Sequence, residues 1–286
     1  MRSNSDNACR VLDCWASLNL SQRESRTHGY TRRMPLLFDG KITIPLYHGT
    51  NLLFYDSIKQ HGLGGRDLIK ELRVIELLRE LIAICEDSLT AEEDWILRMQ
   101  CAKFIASQDV TEGGFNFRHG SAYLAASVEK AARYAVSSEF SSEALAQFMM
   151  LWTRLQDSRV SLPPTVRAGS LPILEFASGK KAPLVFELSN VAIDDLAAED
   201  GSDPRAMLDS VGSLATGDDS VDRHFLGAAN FEAHGPISIA DARTFRVLRE
   251  PANDSFCSEG YSLVLFHGES SFDGSSGDVI HRISLA

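Results

Sequence analysis

The chain contains 286 residues, of which 44% are hydrophobic, and it carries a formal net charge of −11. This apolar share is typical of a globular protein with one large core or two small ones, and the acidic total disfavours broad non-specific binding of nucleic acid. Five cysteines without a C-x-x-C pair indicate neither a disulfide framework nor a metal site, so a reducing compartment is expected.

Charge and hydropathy along the chain indicate its location and organisation. Neither a membrane-length apolar run nor a Sec-type signal region is visible. The sequence therefore predicts no membrane partner and a cytoplasmic location, or delivery into a host or target-cell cytoplasm by a non-Sec route. Residues 1–33 hold six arginines against three acidic residues and are predicted to be a poorly ordered leader or N-terminal arm. Residues 34–286 are predicted to form a single domain.

The stretch from residue 44 to residue 65 carries the densest pattern. Its apolar start predicts a short buried strand at 44–47, ended by the polar turn His48-Gly49-Thr50. A helix is predicted over Leu52–Gln60, capped at its start by Asn51 or Thr50 and closed by Gly62. A strand would thus present a histidine just before a short helix.

Two amphipathic helices are predicted next. Apolar residues recur at three- and four-residue spacing over Asp67–Cys85, and a capping box at Thr90 begins a second helix that runs through Ile105. We interpret this helical hairpin, at about 66–110, as a structural insertion that covers a core, in preference to a substrate-gripping lid.

A pair of tyrosines follows. Ser121–Ala125 predicts a tightly packed strand, and Ser127 caps a helix over Val128–Tyr134. Tyr123 and Tyr134 are therefore placed where their rings face one another across a gap, unless both are core residues.

The remaining elements define the fold class. They are predicted as a helix at Glu143–Gln156, loops at 163–169 and 199–222, and strands at Leu184–Leu188, Thr244–Leu248, Tyr261–His267 and Val279–Ile283. Helices concentrate early and strands late, which predicts an α+β protein around a mostly antiparallel or mixed sheet.

Four polar positions suit a common ligand. His48, Tyr123, Tyr134 and Glu232 supply an imidazole, two ring faces and a carboxylate. Neither an activated serine or cysteine nor a metal-ligand spacing accompanies them. Stacked tyrosines hold a cationic heteroaromatic ring, and a carboxylate stabilises a developing oxocarbenium ion. Cleavage of a nicotinamide N-glycosidic bond requires both.

Two segments carry a resemblance to a known family. Leu46–Thr50, with the sequence L-Y-H-G-T, together with Ser57-Ile58 and Gly62-Leu63, resembles the first motif of ADP-ribosyltransferases of the diphtheria-toxin and poly(ADP-ribose) polymerase type. Ala122–Ala125 and Ala131–Ala135 resemble the second motif, with the family's spacing between the tyrosines. The resemblance implies a split mixed or antiparallel sheet with an inserted helical hairpin.

The resemblance also implies residue roles, with NAD as co-substrate. His48 would bind a ribose hydroxyl and the amide side of the nicotinamide pocket, Gly49 would contact the carboxamide through its backbone, and Thr50 would support the histidine. Tyr123 and Tyr134 would sandwich nicotinamide.

A catalytic glutamate opening a late strand is the family's third motif. Glu232 is the best match, with Glu187 and Glu259 as rivals that also border strand-like runs. Arginine-directed members carry a second glutamate two positions earlier, where this chain has Asn230, so arginine modification is not supported.

A glycine-rich turn offers a separate candidate phosphate site. Gly62, Gly64 and Gly65 could bring backbone amides near a pyrophosphate, with Arg66 adding charge. A glycine C-cap explains Gly62 without any ligand and is the preferred interpretation.

The resemblance implies a mono-ADP-ribosyltransferase of a bacterial toxin, effector or defence system. Its acceptor is expected to be a protein in preference to a nucleic acid, and an antitoxin or chaperone is an expected partner. The alternatives are an NAD glycohydrolase, an RNA 2′-phosphotransferase-like enzyme, and an inactive transferase fold that serves as a protein-interaction module.

Overall fold

The computed structural model describes residues 35–89, 93–109, 120–137, 139–199, 202–214, 229–249, 260–266 and 279–284. These ranges form a mixed α+β protein in which all neighbouring strands are antiparallel, so the predicted class is confirmed. The strands are β1 (Leu37–Phe38), β2 (Lys41–Ile42), β3 (Leu46–Asn51), β4 (Tyr123–Ala125), β5 (Pro183–Leu188), β6 (Leu196–Ala198), β7 (Asn230–Ala233), β8 (Arg243–Arg249), β9 (Gly260–Leu265) and β10 (Val279–Ser284).

Within the described ranges, β1 and β2 form a ribbon and the other strands one sheet in the order β10-β9-β8-β5-β3-β4-β7-β6. The helices are α1 (Leu52–His61), α2 (Leu68–Glu71), α3 (Val74–Ser88), α4 (Glu93–Ser107), α5 (Val128–Ser137), α6 (Glu143–Asp157), α7 (Pro164–Ala177) and α8 (Pro204–Leu214). A 3-10 turn at Ile193–Asp195 precedes β6.

Strand β5 lies at the centre of the sheet, as its apolar sequence predicts. Leu184, Val185 and Phe186 are fully buried, because both faces of the strand are covered. Helix α5 packs on one face through Ala131 and Ala132. Helix α1 covers the other face, where Tyr55 stacks on Phe186, and α8 packs against β6 at the edge of the sheet.

Helices α3, α4, α6 and α7 form a second layer with its own apolar core, called the helical layer below. Leu78, Leu81, Phe148 and Leu151 are fully buried there. The predicted hairpin at about 66–110 is therefore helical, and its core is completed by α6 and α7. In the described ranges, the structure contains no helix long and apolar enough to cross a membrane.

Two predicted loops contain helices. The loop expected at 163–169 is the start of α7, because Pro164 occupies the first helical turn, where a missing N–H costs nothing. Part of the loop expected at 199–222 is α8, whose first residue Pro204 follows Asp203, and the Asp203 side chain accepts a hydrogen bond from the Arg205 amide. Both prolines start a helix where composition suggested a break.

Three boundaries also differ from prediction. The strand that begins this region is Leu46–Asn51, so His48 lies within β3 and not in a turn after it. The helix expected over Asp67–Cys85 is divided between α2 and α3 at Arg73, which has a left-handed φ of 55°. The caps of α1 are confirmed: Asn51 accepts the Leu53 amide, and Gly62 has φ 79°. The leader, the capping box at Thr90 and Glu259 lie outside the described residues.

Candidate active site

His48 is held by its strand and by the neighbouring strand β4. Its Nδ1 lies 2.8 Å from the carbonyl oxygen of Tyr123. Since a carbonyl can only accept, Nδ1 carries the proton and Nε2 remains an acceptor in the neutral ring. Burial lowers the pKa of His48, partly offset by this hydrogen bond, which favours the neutral form. The ring also stacks at 6.5 Å on Phe186 of β5.

The sheet opens between β3 and β4 at this histidine. Among the described residues, Tyr47↔Ala125 is the single residue pair that joins the two strands, whereas β3 pairs with β5 along its whole length. The imidazole of His48 bridges the two strands just beyond that pair. The described strands β3 and β4 are therefore not joined by a continuous hydrogen-bond ladder.

Tyr123 and Glu232 form a cross-strand pair on β4 and β7. Their side chains leave the same face of the sheet, since directly opposite residues of antiparallel strands share a face. The hydroxyl of Ser121 donates to Oε1 of Glu232 at 2.5 Å. Glu232, which is half-buried, therefore has one oxygen oriented by the segment that leads into β4.

Tyr134 joins the group from α5, and Gly49 allows that helix to approach. A Cβ at Gly49 would lie 2.0 Å from the carbonyl oxygen of Ala131, so only glycine permits this backbone contact. The Tyr134 side chain is 41% exposed. Burial of its hydroxyl raises the pKa of Tyr134, as do the nearby charges of Glu143 and Tyr123, so the phenol is neutral at physiological pH.

Glu199 is a neighbour of this group that sequence reasoning missed. Asn230, two residues before Glu232, donates from Nδ2 to Glu199 at 2.8 Å. The negative charge of Glu199 also contributes to the raised pKa values of Tyr134 and Glu143. Its position depends on the β6–β7 pairing, and a residue at the edge of a predicted loop gave no signal of it. Ser121 was likewise visible only as the first residue of a predicted strand.

Two further residues, Thr50 and Arg66, were predicted to contribute to the site. Thr50 is 4% exposed within β3, directly after Gly49. Arg66 is at the surface, where Glu71 accepts hydrogen bonds from its Nε at 2.9 Å and its Nη2 at 2.6 Å. To bind a pyrophosphate as predicted, Arg66 would have to release Glu71, because the same N–H groups would donate to the phosphate.

Glu187, the first rival for the catalytic carboxylate, is engaged elsewhere. It lies on β5, is 9% exposed, and accepts a hydrogen bond from Nε of Arg243 at 2.8 Å. Burial, with the charge of Glu187 as a second cause, raises the pKa of Tyr47 to about 12. A paired carboxylate of this kind is typical of a structural ion pair. Glu259, the second rival, lies outside the described residues.

A groove of about 770 Å³ lies beside α1, away from the tyrosine pair. Its walls include Tyr55, Lys59, Gly62, Pro236 and Phe266. The groove is lined by none of His48, Tyr123, Tyr134 and Glu232. It is therefore a separate surface that adjoins the segment following Glu232.

Tyr123, Tyr134 and Glu232 supply two aromatic rings and an oriented carboxylate, and His48, a neutral hydrogen-bond acceptor at Nε2, is joined to this group through the Tyr123 carbonyl. In the described ranges, no group of His, Cys, Asp and Glu side chains has the arrangement to hold a metal ion. Comparison with protein-family models, with curated proteins and with solved structures finds no match for this chain.

Proposed function

We propose that the protein is an ADP-ribosyltransferase of the His-Tyr-Glu type, which cleaves the nicotinamide–ribose bond of NAD and transfers ADP-ribose to a macromolecular acceptor. One observation carries the proposal: His48, Tyr123 and Glu232 come from the adjacent strands β3, β4 and β7, with Tyr123 bonded to His48 through its carbonyl and paired across strands with Glu232. The opening between β3 and β4 also agrees with the split sheet that the resemblance implies.

Each residue has a role that fits its local chemistry. Neutral His48 offers Nε2 to a ribose hydroxyl, since Nδ1 is committed to Tyr123. The rings of Tyr123 and Tyr134 flank the cationic nicotinamide through their faces. Glu232, oriented by Ser121, stabilises positive charge at the ribose.

The proposed reaction is a dissociative displacement at the anomeric carbon of the ribose. The C–N bond breaks with its electron pair going to nicotinamide, which leaves as a neutral molecule, and the positive charge passes to the ribose as an oxocarbenium ion. An acceptor nucleophile then bonds to the anomeric carbon and releases a proton. Glu232 lowers the barrier because its negative charge lies where positive charge develops.

The acceptor is proposed to be a protein side chain other than arginine. Asn230 stands two residues before Glu232, and its amide is bound to Glu199. A toxin, effector or defence role, with an antitoxin or chaperone partner, remains an expectation from the resemblance. A glycohydrolase would use the same residues, with water as the acceptor in place of a protein side chain.

The Glu232→Gln variant tests the proposal. We expect nicotinamide release from NAD to fall by about 10²–10³-fold, because one transition-state charge is removed, while NAD binding by calorimetry is retained. The matched control is Glu187→Gln, which removes a charge at the other candidate strand.

Other results would favour one of the alternative functions or a different catalytic carboxylate. A wild-type protein that binds no NAD would favour the interaction module. Nicotinamide release that occurs only with a 2′-phosphorylated RNA, whose phosphate passes to the ADP-ribose moiety, would favour the phosphotransferase. Loss of activity in Glu187→Gln alone would assign the carboxylate to β5, and label from NAD that never enters lysate proteins would indicate the glycohydrolase.

A further inference from the structure

The turn that follows α1 is joined to the turn that follows β7. The first, the glycine turn, comprises Gly62–Gly65, and the second, the β7 turn, comprises Gly235–Ile237. Leu63 donates its amide to the Ile237 carbonyl at 2.9 Å, and Ile237 donates its amide to the Leu63 carbonyl at 2.8 Å. This reciprocal pair is an isolated antiparallel bridge outside the main sheet.

Glycine is required at this joint for steric reasons. Gly62 has φ 79° and ψ 166°, a region that is essentially restricted to glycine. A Cβ there would also lie 2.9 Å from the Ile237 carbonyl oxygen. At Gly64, where φ is 76°, a Cβ would lie 3.1 Å from the Gly235 carbonyl oxygen. The two turns therefore touch through backbone, with no space for a side chain between them.

The joint connects the two halves of the candidate site. At one end, α1 follows β3 directly, so the glycine turn is fixed to the strand of His48 through one ten-residue helix. At the other end, Glu232 lies three residues before Gly235. The segment between them is held on both sides, because Ala233 donates its amide to the carbonyl of Ala122, next to β4, at 2.9 Å and His234 donates its amide to the carbonyl of Asp195, next to β6, at 2.8 Å.

We propose that the glycine turn is a positioning clamp, which holds the strand of Glu232 at a set distance from His48 without contacting the reacting atoms. This inference rests on the proposed transferase function. It gives Gly62 and Gly64 a role other than the phosphate cradle considered from the sequence, because their free space is already occupied by the β7 turn.

The test compares Gly62→Ala with Gly235→Ala. Gly62→Ala should force the two turns apart, whereas Gly235→Ala should be tolerated, because a Cβ at Gly235 meets nothing within 4 Å. We expect kcat for nicotinamide release to fall by about tenfold or more in Gly62→Ala, since small misplacements of catalytic groups are costly, with KM for NAD nearly unchanged. Gly235→Ala should match the wild type.

A second variant and a second measurement guard against simple misfolding. Gly64→Ala creates the milder contact and should show the same loss of kcat in smaller degree. Hydrogen exchange should show that the amides of Leu63 and Ile237 are protected in the wild type and lose protection together in Gly62→Ala. Thermal melts establish the temperature at which each variant is folded, and kinetics are measured below it.

Distinct outcomes would overturn the clamp and the proposed function. A rise in KM with unchanged kcat would show that the turn contacts NAD, and equal losses in Gly62→Ala and Gly235→Ala would show that the joint is not specific. If one of the two amides exchanged without the other, the reciprocal hydrogen bonds between Leu63 and Ile237 would not join the turns. A wild-type protein that releases no nicotinamide would overturn the transferase proposal and the catalytic role together, while amide exchange would still decide whether the joint exists.

Discussion

The helical layer and the candidate site are stabilised by different kinds of contact. In the helical layer, large apolar side chains such as Phe148 and Leu151 fill the space between helices. At the site, α5 meets β3 through Gly49 and Ala131, and Glu232 is oriented by a hydrogen bond from Ser121. Side-chain packing tolerates local adjustment, but backbone contact leaves no atom that can move aside. The site should therefore lose function through changes that the helical layer accommodates.

The largest expected effect on stability is in the helical layer. Phe148→Ala removes a fully buried ring that stacks on Trp152 at 6.2 Å, and should lower the free energy of unfolding by about 3–5 kcal/mol. Denaturant unfolding checks this value, with Phe38→Ala as the control because Phe38 is 71% exposed. NAD turnover by the folded fraction should be unchanged. A specific loss of turnover would show that the helical layer takes part in the site.

A Gly→Ala substitution can be made at a close contact in each region. Gly49→Ala places a methyl group 2.0 Å from a backbone oxygen, and should cost about 3 kcal/mol of unfolding free energy and displace Tyr134 with α5. Gly169→Ala in α7 meets Leu77 at 3.2 Å, where a flexible side chain can shift and helix propensity improves. We expect loss of NAD turnover for Gly49→Ala alone. If both variants kept their unfolding free energy and NAD turnover, α5 would not contact β3 through backbone.

The smallest expected effect is the pH dependence from His48. Its pKa in the folded protein lies below the ordinary value of 6.5, so the unfolded chain binds more protons between those two values. Stability from this residue is therefore complete above pH 6.5 and decreases as the pH falls towards the folded pKa. His48→Gln should reduce the slope of unfolding free energy against pH in that window. An unchanged slope would indicate that His48 is not buried in its neutral form.

Local patterns predicted much of the fold. Asn51 and Gly62 bound α1 as expected, and the central strand β5 follows from its apolar run. The errors arose because proline is common both in loops and in the first turn of helices. Pro164 and Pro204 were assigned to loops, but both begin helices. Secondary-structure propensity reflects only a residue's own backbone, so a proline is compatible with both a loop and the start of a helix. Tertiary packing selects between these two structures.

Sequence motifs named the individual residues of the candidate site, but not how these residues and their neighbours are arranged in space. His48, Tyr123, Tyr134 and Glu232 were named from motifs, whereas their relation to Glu199 depends on β6 pairing with β7. Contacts between residues far apart in the chain depend on strand order, which no short pattern contains.

Local sequence accounts for the individual elements and for the side-chain chemistry that they carry, because caps, apolar periodicity and side-chain type act over a few residues. Tertiary structure alone decided that the sheet opens between β3 and β4, that Ser121 orients Glu232, and that the glycine turn meets the β7 turn. Those features join segments as many as 174 residues apart, from Leu63 to Ile237, and they depend on which backbones approach closely enough to exclude a side chain.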